Sequence, residues 1–315
     1  MRITNGMMVS RMMLNMNTNL RNMDKEQNDL STGVKIHRPS DDPVLVARSL
    51  KIHTDIAENE QFTRNVDDAY SWLDKTETSL KELNNVLQRV RELSVQAANG
   101  VLNAEDTQKI QSEVEQLKEH MVKIGNDTYI GRHIFSGFKT DEKYLNDDGT
   151  TALTTTAGQK IEYQVGVSAK VAVNVTGDQV FGELVVVLDE NGDPVVDGDG
   201  NPVKKNEMFK TMDDLIGAMK NGDNGKISNL LGDLDKNIEN LLQVRGEVGA
   251  KMNTVEVIKD RAEEMTLNFT SLLSKTEDTD MGEAVMKLNI LESVYKASLS
   301  IGARVIQPTL VDFLR

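Results

Sequence analysis

Apolar residues spaced alternately three and four positions apart constrain what this sequence can fold into. This spacing places side chains along one face of an α-helix. The longest run comprises Val66, Ala69, Leu73, Thr76, Leu80, Leu83, Leu87, Val90, Ser94 and Ala97. At 1.5 Å per residue, a single helix from Pro43 to Asn99 would be about 85 Å long. The sequence therefore predicts long helices with a narrow apolar stripe.

Both ends of the chain carry a shorter stripe of the same kind. The first comprises Val9, Met13, Met16, Leu20, Met23, Gln27 and Leu30, and Gly33 follows where a helix C-cap belongs. The last comprises Met281, Ala284, Leu288, Leu291 and Tyr295, and Asp280 with Glu283 has the spacing of a capping box. Two such end helices can bury their stripes against each other as a coiled coil.

Helical spacing also occurs on both sides of a β-rich segment. One stripe comprises Ile110, Val114, Leu117, Met121 and Ile124, and this helix is predicted to pair antiparallel with the long one. The other comprises Ile238, Leu241, Val248, Met252, Val255, Ala262, Phe269 and Leu273. Between them, Val165 to Val175 alternates apolar with polar or small residues, as strands with one buried face do.

These patterns predict a mainly α protein, an elongated rod of long antiparallel helices with a small β-rich insertion. The expected domains are a terminal helical domain of residues 1–40 and 280–315, a helical rod of 41–142 and 207–279, and a β-rich outer domain of 143–206. A two-helix pair leaves apolar surface uncovered, so neighbouring copies or other proteins would complete it. A monomeric bundle, in which the end helices pack on the middle one, remains the alternative.

Composition excludes several classes of function. The net charge of −14 argues against nucleic acid or an anionic membrane as the main partner, because both need excess Lys and Arg. The absence of cysteine excludes disulfides and thiolate sites, no apolar run approaches a membrane span, and the N-terminus does not resemble a cleaved secretory signal. Seven methionines in the first 23 residues suit either an adaptable packing surface or an ordinary helix core.

Candidate chemical sites are few. The four histidines, His37, His53, His120 and His133, form no metal-ligand pair, so surface or packing roles are favoured. The segment Asp197 to Asn201 begins like a calcium loop, but Pro202 and Met208 stand where Gly and Glu belong, which favours a turn. Neither a phosphate-binding loop nor a serine-hydrolase elbow occurs. We therefore predict no catalytic residue, no metal and no cofactor.

The segment STGVKIHRPSDDPV contains two adjacent carboxylates after a histidine and an arginine, which suggest a metal site, an acid/base pair or a chain corner. Its position between two helices favours the corner, an elbow made of Gly33, Arg38, Pro39, Ser40, Asp41, Asp42 and Pro43. Proline disfavours helix at the residue before it, so the long helix would begin after Pro39, with Ser40 or Asp41 as its N-cap. A catalytic role for Asp41 and Asp42 is the remotest alternative.

Several motifs resemble the flagellin-like family of bacterial flagellar proteins. The segment LQRVRELSVQAANG is similar to the flagellin signature on the first rod helix, and its matching residues are Leu87, Gln88, Arg89, Arg91, Glu92 and Leu93. The form R-P-S-D-D-P resembles the hook-filament junction branch of the family, whereas flagellins typically have a form nearer S-A-x-D-D-A. The start MRITNGMM and the end IQPTLVDFLR resemble the same branch.

The resemblance implies a structural, non-enzymatic protein outside the cell, exported unfolded by the flagellar type III apparatus and located in the flagellum between hook and filament. Its implied partners are the first hook-associated protein, flagellin, copies of itself in a helical ring and, before export, a chaperone on the C-terminal helix. The residues expected in subunit packing are Val9, Met13, Met16, Leu20, Met23, Leu30, Leu288, Leu291 and Tyr295.

Three alternatives stay open. Flagellin itself shares most of these motifs, and the β-rich segment would also suit a surface adhesin or a calcium-binding module. In flagellins an innate immune receptor binds the rod signature, and Arg89 and Leu93 match it here, although helix packing explains the same residues.

Overall fold

A computed structural model describes residues 5–99, 104–187, 194–196 and 202–305. These residues are mainly helical, which confirms the predicted fold class. The seven helices in the described part are α1 (Asn5–Thr32), α2 (Pro43–Ala98), α3 (Ala104–Gly125), α4 (Gly177–Phe181), α5 (Glu207–Asn221), α6 (Asn224–Glu277) and α7 (Met281–Val305). The longest is α2, whose ends lie where the sequence placed them, to within one residue.

In the part of the chain that the structure describes, the strands are short and pair as three separate two-stranded antiparallel sheets. In chain order these are β1 (Thr128–Tyr129) with β2 (Arg132–His133), β3 (Glu162–Gln164) with β4 (Lys170–Ala172), and β5 (Leu184–Val186) with β6 (Lys204–Asn206). The insertion of residues 143–206 therefore contains β3 to β6, as its β-rich pattern predicted. It also contains the short helix α4, and one hairpin precedes it.

The interpretation of Val165 to Val175 as alternating strand residues is only partly right. The run belongs to a hairpin, since residues 166–168 form a bend and Val165 N–H donates to Ala169 O across it at 3.0 Å. Val167 lies at the tip and is 81% exposed, while Val173 and Val175 are buried. Alternation continues through the bend because valine and alanine stand on both sides of it, so the pattern could not show where the chain reverses.

The chain forms two compact units. The terminal unit comprises Met1–Glu58 and Glu264–Arg315, and the large unit comprises Asn59–Glu263. The division falls inside α2 and α6, so each of these helices contributes to both units. The three domains predicted from the sequence, a terminal domain, a rod and an outer domain, remain a prediction.

In the large unit, the stripe of α2 forms the centre of the core. Every predicted stripe residue from Val66 to Ala97 is at most 2% exposed, including Thr76 and Ser94. The buried hydroxyls donate to backbone carbonyls one turn back, Thr76 Oγ1 to Trp72 O at 2.8 Å and Ser94 Oγ to Val90 O at 2.6 Å. This self-contained bonding explains how polar residues occupy a core stripe.

Ion pairs show that α2 runs antiparallel to both α3 and α6 within the large unit. Towards α3, Glu82 near the middle of α2 lies 3.0 Å from His120, and Arg89 further along lies 2.8 Å from the earlier Glu113. The ion pairs between α2 and α6 follow the same rule, since later residues of α2 pair with earlier residues of α6. The predicted antiparallel pairing of α2 and α3 is therefore confirmed.

An aromatic cluster joins the insertion to this core. Phe181 contacts Phe135, Tyr144 and Phe209 at ring-centroid distances of 5.8, 5.8 and 5.4 Å. The Tyr144 hydroxyl is hydrogen-bonded to the fully buried Asn206 side chain, and burial raises the pKa of Tyr144. Aromatic residues are few in this chain. Next to the small sheets, where no long helix supplies an apolar stripe, they form part of the core.

Candidate functional site

The paired terminal helices α1 and α7 are the first part of the candidate site. Asn19 Nδ2 of α1 donates to Leu291 O of α7 at 3.0 Å. Nearer the start of α1, Met12 packs so closely on Gly302 that a Cβ there would overlap the methionine methyl group. The predicted pair of terminal helices is therefore present. Earlier residues of α1 contact later residues of α7, so the pair is antiparallel.

The face of α1 that packs within the chain differs from the predicted stripe. Its half-buried positions are Val9, Met12, Met16, Asn19, Met23, Glu26 and Leu30. Met13, Leu20 and Gln27 are exposed, so their assignment to the stripe that packs within the chain was wrong. Both Met12 and Met13 are apolar, and the three-four spacing assigned Met13 to the stripe in place of Met12. The consequence is that Met13 and Leu20 remain uncovered in the single chain.

The stripe of α7 was largely correct. Leu288, Leu291 and Tyr295 are half-buried and Ala284 is buried, on one face towards α1. Met281 is exposed and does not continue this face, which corrects its place in the predicted stripe. The residues predicted for subunit packing therefore fall into two groups. Most of them are half-buried within the chain, whereas Met13 and Leu20 are exposed.

A second apolar face of α7 was missed by the sequence analysis. Val285, Met286, Ile290 and Val294 are each about half exposed, between 47% and 57%. With Gly282, Asn289 and Ser293 they form a solvent-open patch made by α7 alone, which we call the α7 groove. The signal was present as apolar residues four apart at 286, 290 and 294. This groove and the exposed residues of α1 leave apolar surface on both terminal helices.

The elbow begins where α1 ends. Gly33 has a φ of +75°, and its N–H donates to Asp29 O at 2.9 Å, the C-cap predicted for this position. The chain then pairs with the segment after α6. Lys35 N–H donates to Glu277 O and Thr279 N–H to Gly33 O, both at 2.8 Å. The elbow is thus tied at both sides of a short antiparallel bridge.

The two elbow carboxylates have different tasks, and the predicted N-cap was wrong. Asp42 Oδ1 accepts the N–H groups of Val44 and Leu45, both at 3.0 Å, so Asp42 caps α2 in place of Ser40 or Asp41. The physical reason is Pro43, which takes the first helical position and leaves the cap to the residue before it. Sequence alone could have shown this.

Asp41 instead closes the turn through Pro39 and Ser40. Its Oδ2 accepts the N–H of Arg38 at 2.9 Å and that of His37 at 3.2 Å. These backbone donors, the Arg38 N–H foremost, hold the pKa of Asp41 below its ordinary value. Both adjacent carboxylates therefore accept hydrogen bonds from backbone N–H groups. These bonds explain the two residues without an acid/base role.

Two histidines reinforce the elbow through carboxylates of the same unit. His37 Nε2 lies 2.8 Å from Oδ1 of the buried Asp29, and His53 Nε2 lies 3.1 Å from Glu277 Oε1, which also accepts the Ser49 hydroxyl. A cleft of about 310 Å³ beside them has both acidic and lysine side chains in its lining. Among the described residues no group of three or more His, Cys, Asp or Glu side chains could hold a metal ion.

The rod signature lies on α2 and contributes first to the core of the large unit. Leu87 and Leu93 are at most 2% exposed, whereas Gln88 points to solvent. A buried Leu93 is not presented to a partner protein in this fold. Packing explains its side chain more simply than receptor binding does.

The charged residues of the signature connect α2 to its two neighbours. Arg89 binds Glu113 of α3 through two nitrogens at 2.8 and 2.9 Å and also lies 3.1 Å from Glu92. Arg91 binds Asp235 of α6 at 2.5 Å. The ion pairs raise the pKa of both arginines and lower that of Asp235. The signature thus connects α2 to α3 and α6 at the surface of the large unit.

Some predictions cannot be placed. The calcium-like segment from Asp197 to Asn201 and the C-terminal IQPTLVDFLR lie outside the described residues. Within the described helices, none is both long and apolar enough to cross a membrane.

Comparison with known proteins agrees with this architecture. The bacterial flagellin N-terminal helical region matches residues 3–140. The chain is 25% identical over 312 residues to Flagellar hook-associated protein 3 of Escherichia coli strain K12, covering 94% of this chain and 96% of that protein. It is 27% identical over 300 residues to Flagellin of Bacillus subtilis strain 168, covering 93% and 91%.

Solved structures show the same fold. The flagellar junction protein FlgL from Legionella pneumophila matches with a TM-score of 0.55 and 21% identity, over 75% of this chain and 100% of that chain. At this identity the match bears on the fold alone, while the likeness to Flagellar hook-associated protein 3 covers nearly both sequences. The chain is thus similar over nearly its whole length to Flagellar hook-associated protein 3, and its first part is similar to the flagellin N-terminal helical region.

Proposed function

We propose that this chain is a structural subunit of the bacterial flagellum that links hook to filament at their junction. The observation that carries the proposal is the uncovered apolar surface on both terminal helices, Met13 and Leu20 on α1 and the groove around Ile290 on α7. Clustered exposed apolar side chains are typical of a surface that packs against a partner. A chain that assembles into a polymer uses such surface.

The energetics favour assembly over a solitary bundle. Fully burying one apolar side chain of this size stabilises by about 1.5–3 kcal/mol, so each half-exposed residue has roughly 1 kcal/mol still to gain. In the described residues Met286, Ile290 and Val294 face away from α1, and the antiparallel pair cannot cover them by itself. A neighbouring helix lying in the groove would do so.

The proposed partners follow from the junction role. On the hook side the chain would contact the first hook-associated protein, on the filament side flagellin, and around the ring other copies of itself. Before export, a chaperone would shield the same apolar face of α7. The site of action is then outside the cell, in the assembled flagellum, and the chain acts by packing, without catalysis.

The test is complementation in the bacterium whose gene for this chain has been deleted. An Ile290→Asp/Val294→Asp variant places charge in the α7 groove, and Val257→Asp is the control, an exposed apolar residue of α6 in the large unit. We expect the control to restore filaments and motility. The groove variant should leave filaments absent. The purified groove variant, added from outside to filamentless hooks, should also fail to bind, which separates loss of packing from any loss of chaperone-dependent export. Normal filaments with the groove variant would contradict the proposal.

Flagellin is the second candidate, because the identity to Flagellin of Bacillus subtilis is no lower than that to hook-associated protein 3. The two functions differ in how far the purified chain can extend a filament by itself. Purified chain added to short filament seeds should bind without extending them if it is a junction subunit. Long filaments grown from this chain alone would establish the flagellin function instead.

A further inference from the structure

Methionines are distributed unequally between the two units. Among the described residues, Met7, Met8 and Met13 of α1 and Met281 and Met286 of α7 are 46% to 57% exposed. In the large unit the buried methionines are Met121, Met208, Met212 and Met219. Met265, on the part of α6 in the terminal unit, is the remaining strongly exposed methionine of the described residues, at 38%. Exposed thioethers therefore concentrate on the terminal helices.

An exposed thioether is a site of oxidation. Methionine sulfoxide is polar and chiral where methionine is flexible and apolar, and its formation disrupts methionine-rich interfaces. Susceptibility follows exposure of the sulfur. The chain contains no cysteine, so no thiol of its own competes for the oxidant.

We propose that the exposed methionines of α1 and α7 are an oxidation site through which hydrogen peroxide controls whether the unassembled chain can join the flagellum. The sulfur lone pair attacks one peroxide oxygen and the O–O bond breaks. The transferred oxygen becomes the sulfoxide, and the departing hydroxide takes the remaining proton and leaves as water. Sulfur loses two electrons and the peroxide gains them.

The location of these residues determines the effect. Met286 lies in the α7 groove beside Ile290, and Met13 lies on the uncovered side of α1. A sulfoxide oxygen buried there against an apolar neighbour would lack a hydrogen-bond donor, which opposes association. This effect on assembly rests on the proposed function, whereas the selectivity of oxidation between the two groups of methionines does not.

The first measurement maps oxidation. The purified full chain is treated with graded hydrogen peroxide while its helical content is followed, and digested peptides are analysed by mass spectrometry. We expect the five exposed methionines of α1 and α7 to oxidise at least tenfold faster than the four buried ones. Equal rates in the two groups, with helical content unchanged, would overturn the assignment.

The second measurement tests assembly. Untreated chain, oxidised chain, and oxidised chain repaired with both methionine sulfoxide reductases are bound to filamentless hooks from the deletion strain. We expect at least a tenfold loss of binding on oxidation and recovery on repair. Full binding of the oxidised chain would overturn the inference. Failure of the untreated chain to bind would instead contradict the proposed function.

Variants assign the effect to residues. Each protein is compared with its own untreated sample. A variant with leucine at the five terminal positions should show a ratio of oxidised to untreated binding near one, while Met265→Leu, the matched exposed control, should lose binding like the wild type. Equal oxidation sensitivity of both variants would refute the assignment to α1 and α7. The reductase recovery decides the question if the fivefold variant binds weakly before treatment.

Discussion

Replacing Asp42 with alanine should loosen the first turn of α2 without unfolding the terminal unit. The carboxylate accepts two backbone N–H groups, of Val44 and Leu45, each at 3.0 Å. Loss of an N-cap typically costs about 1 kcal/mol, within a range of about 0.5–2. That value corresponds to about a fivefold change in a local opening equilibrium. It is small against the total stability of a folded domain, which is about 5–15 kcal/mol.

Amide hydrogen exchange measures this opening directly. The amides from Val44 to Val46 should exchange about fivefold faster in Asp42→Ala, because two of them lose their acceptor and the third begins the helical ladder. Exchange in the middle of α2 should not change. Asp42→Asn is the matched control, since asparagine caps helices about as well as aspartate.

Asp41→Ala separates the two adjacent carboxylates. It removes the acceptor for the His37 and Arg38 N–H groups and should accelerate exchange there while leaving Val44 to Val46 as in the wild type. Equal acceleration at Val44 to Val46 in Asp41→Ala and Asp42→Ala would refute the division of roles between the two residues. So would wild-type exchange in Asp42→Ala.

Further predictions concern the large unit. Gly177→Ala should destabilise it by about 1–3 kcal/mol, because a Cβ would overlap the buried Tyr144 ring, whereas Gly217→Ala on α5, which has free space, should stabilise it by about 0.5–1 kcal/mol; thermal unfolding measures both. Burial raises the pKa of Asp127, but hydrogen bonds, chiefly from Lys75, outweigh it and leave the pKa below the ordinary 3.8. The stabilisation is therefore present above the ordinary pKa and lost as the pH falls through the lowered one, and acid unfolding of Asp127→Asn should lack this contribution.

The helix stripes show what sequence could determine. The α2 residues Leu80, Leu83 and Leu87 were placed correctly because a helix enclosed by neighbours needs one continuous apolar stripe, and polar residues occupy the other faces. On α1 the same rule failed at Met12 and Met13. That helix carries apolar residues on more than one face, as expected of a surface with two sets of neighbours, and spacing cannot say which set lies within the chain.

The elbow and the insertion illustrate two other limits. Asp42 as the cap followed from Pro43 and was a missed local rule. The Val-rich run could not be divided into strands, because valine suits both a buried strand and an exposed hairpin tip such as Val167. The contacts that hold the insertion, such as the Tyr144 and Asn206 pair, join residues distant in sequence and left no periodic signal.

Cryo-electron microscopy of the boundary between hook and filament, in cells that carry this chain, can locate the chain and show what covers its terminal helices. We expect the chain in a short zone between hook and filament, with Met286, Ile290 and Val294 of α7 covered by helices of neighbouring subunits. A chain found along the whole filament, or an α7 groove open to solvent within the assembled zone, would contradict this expectation.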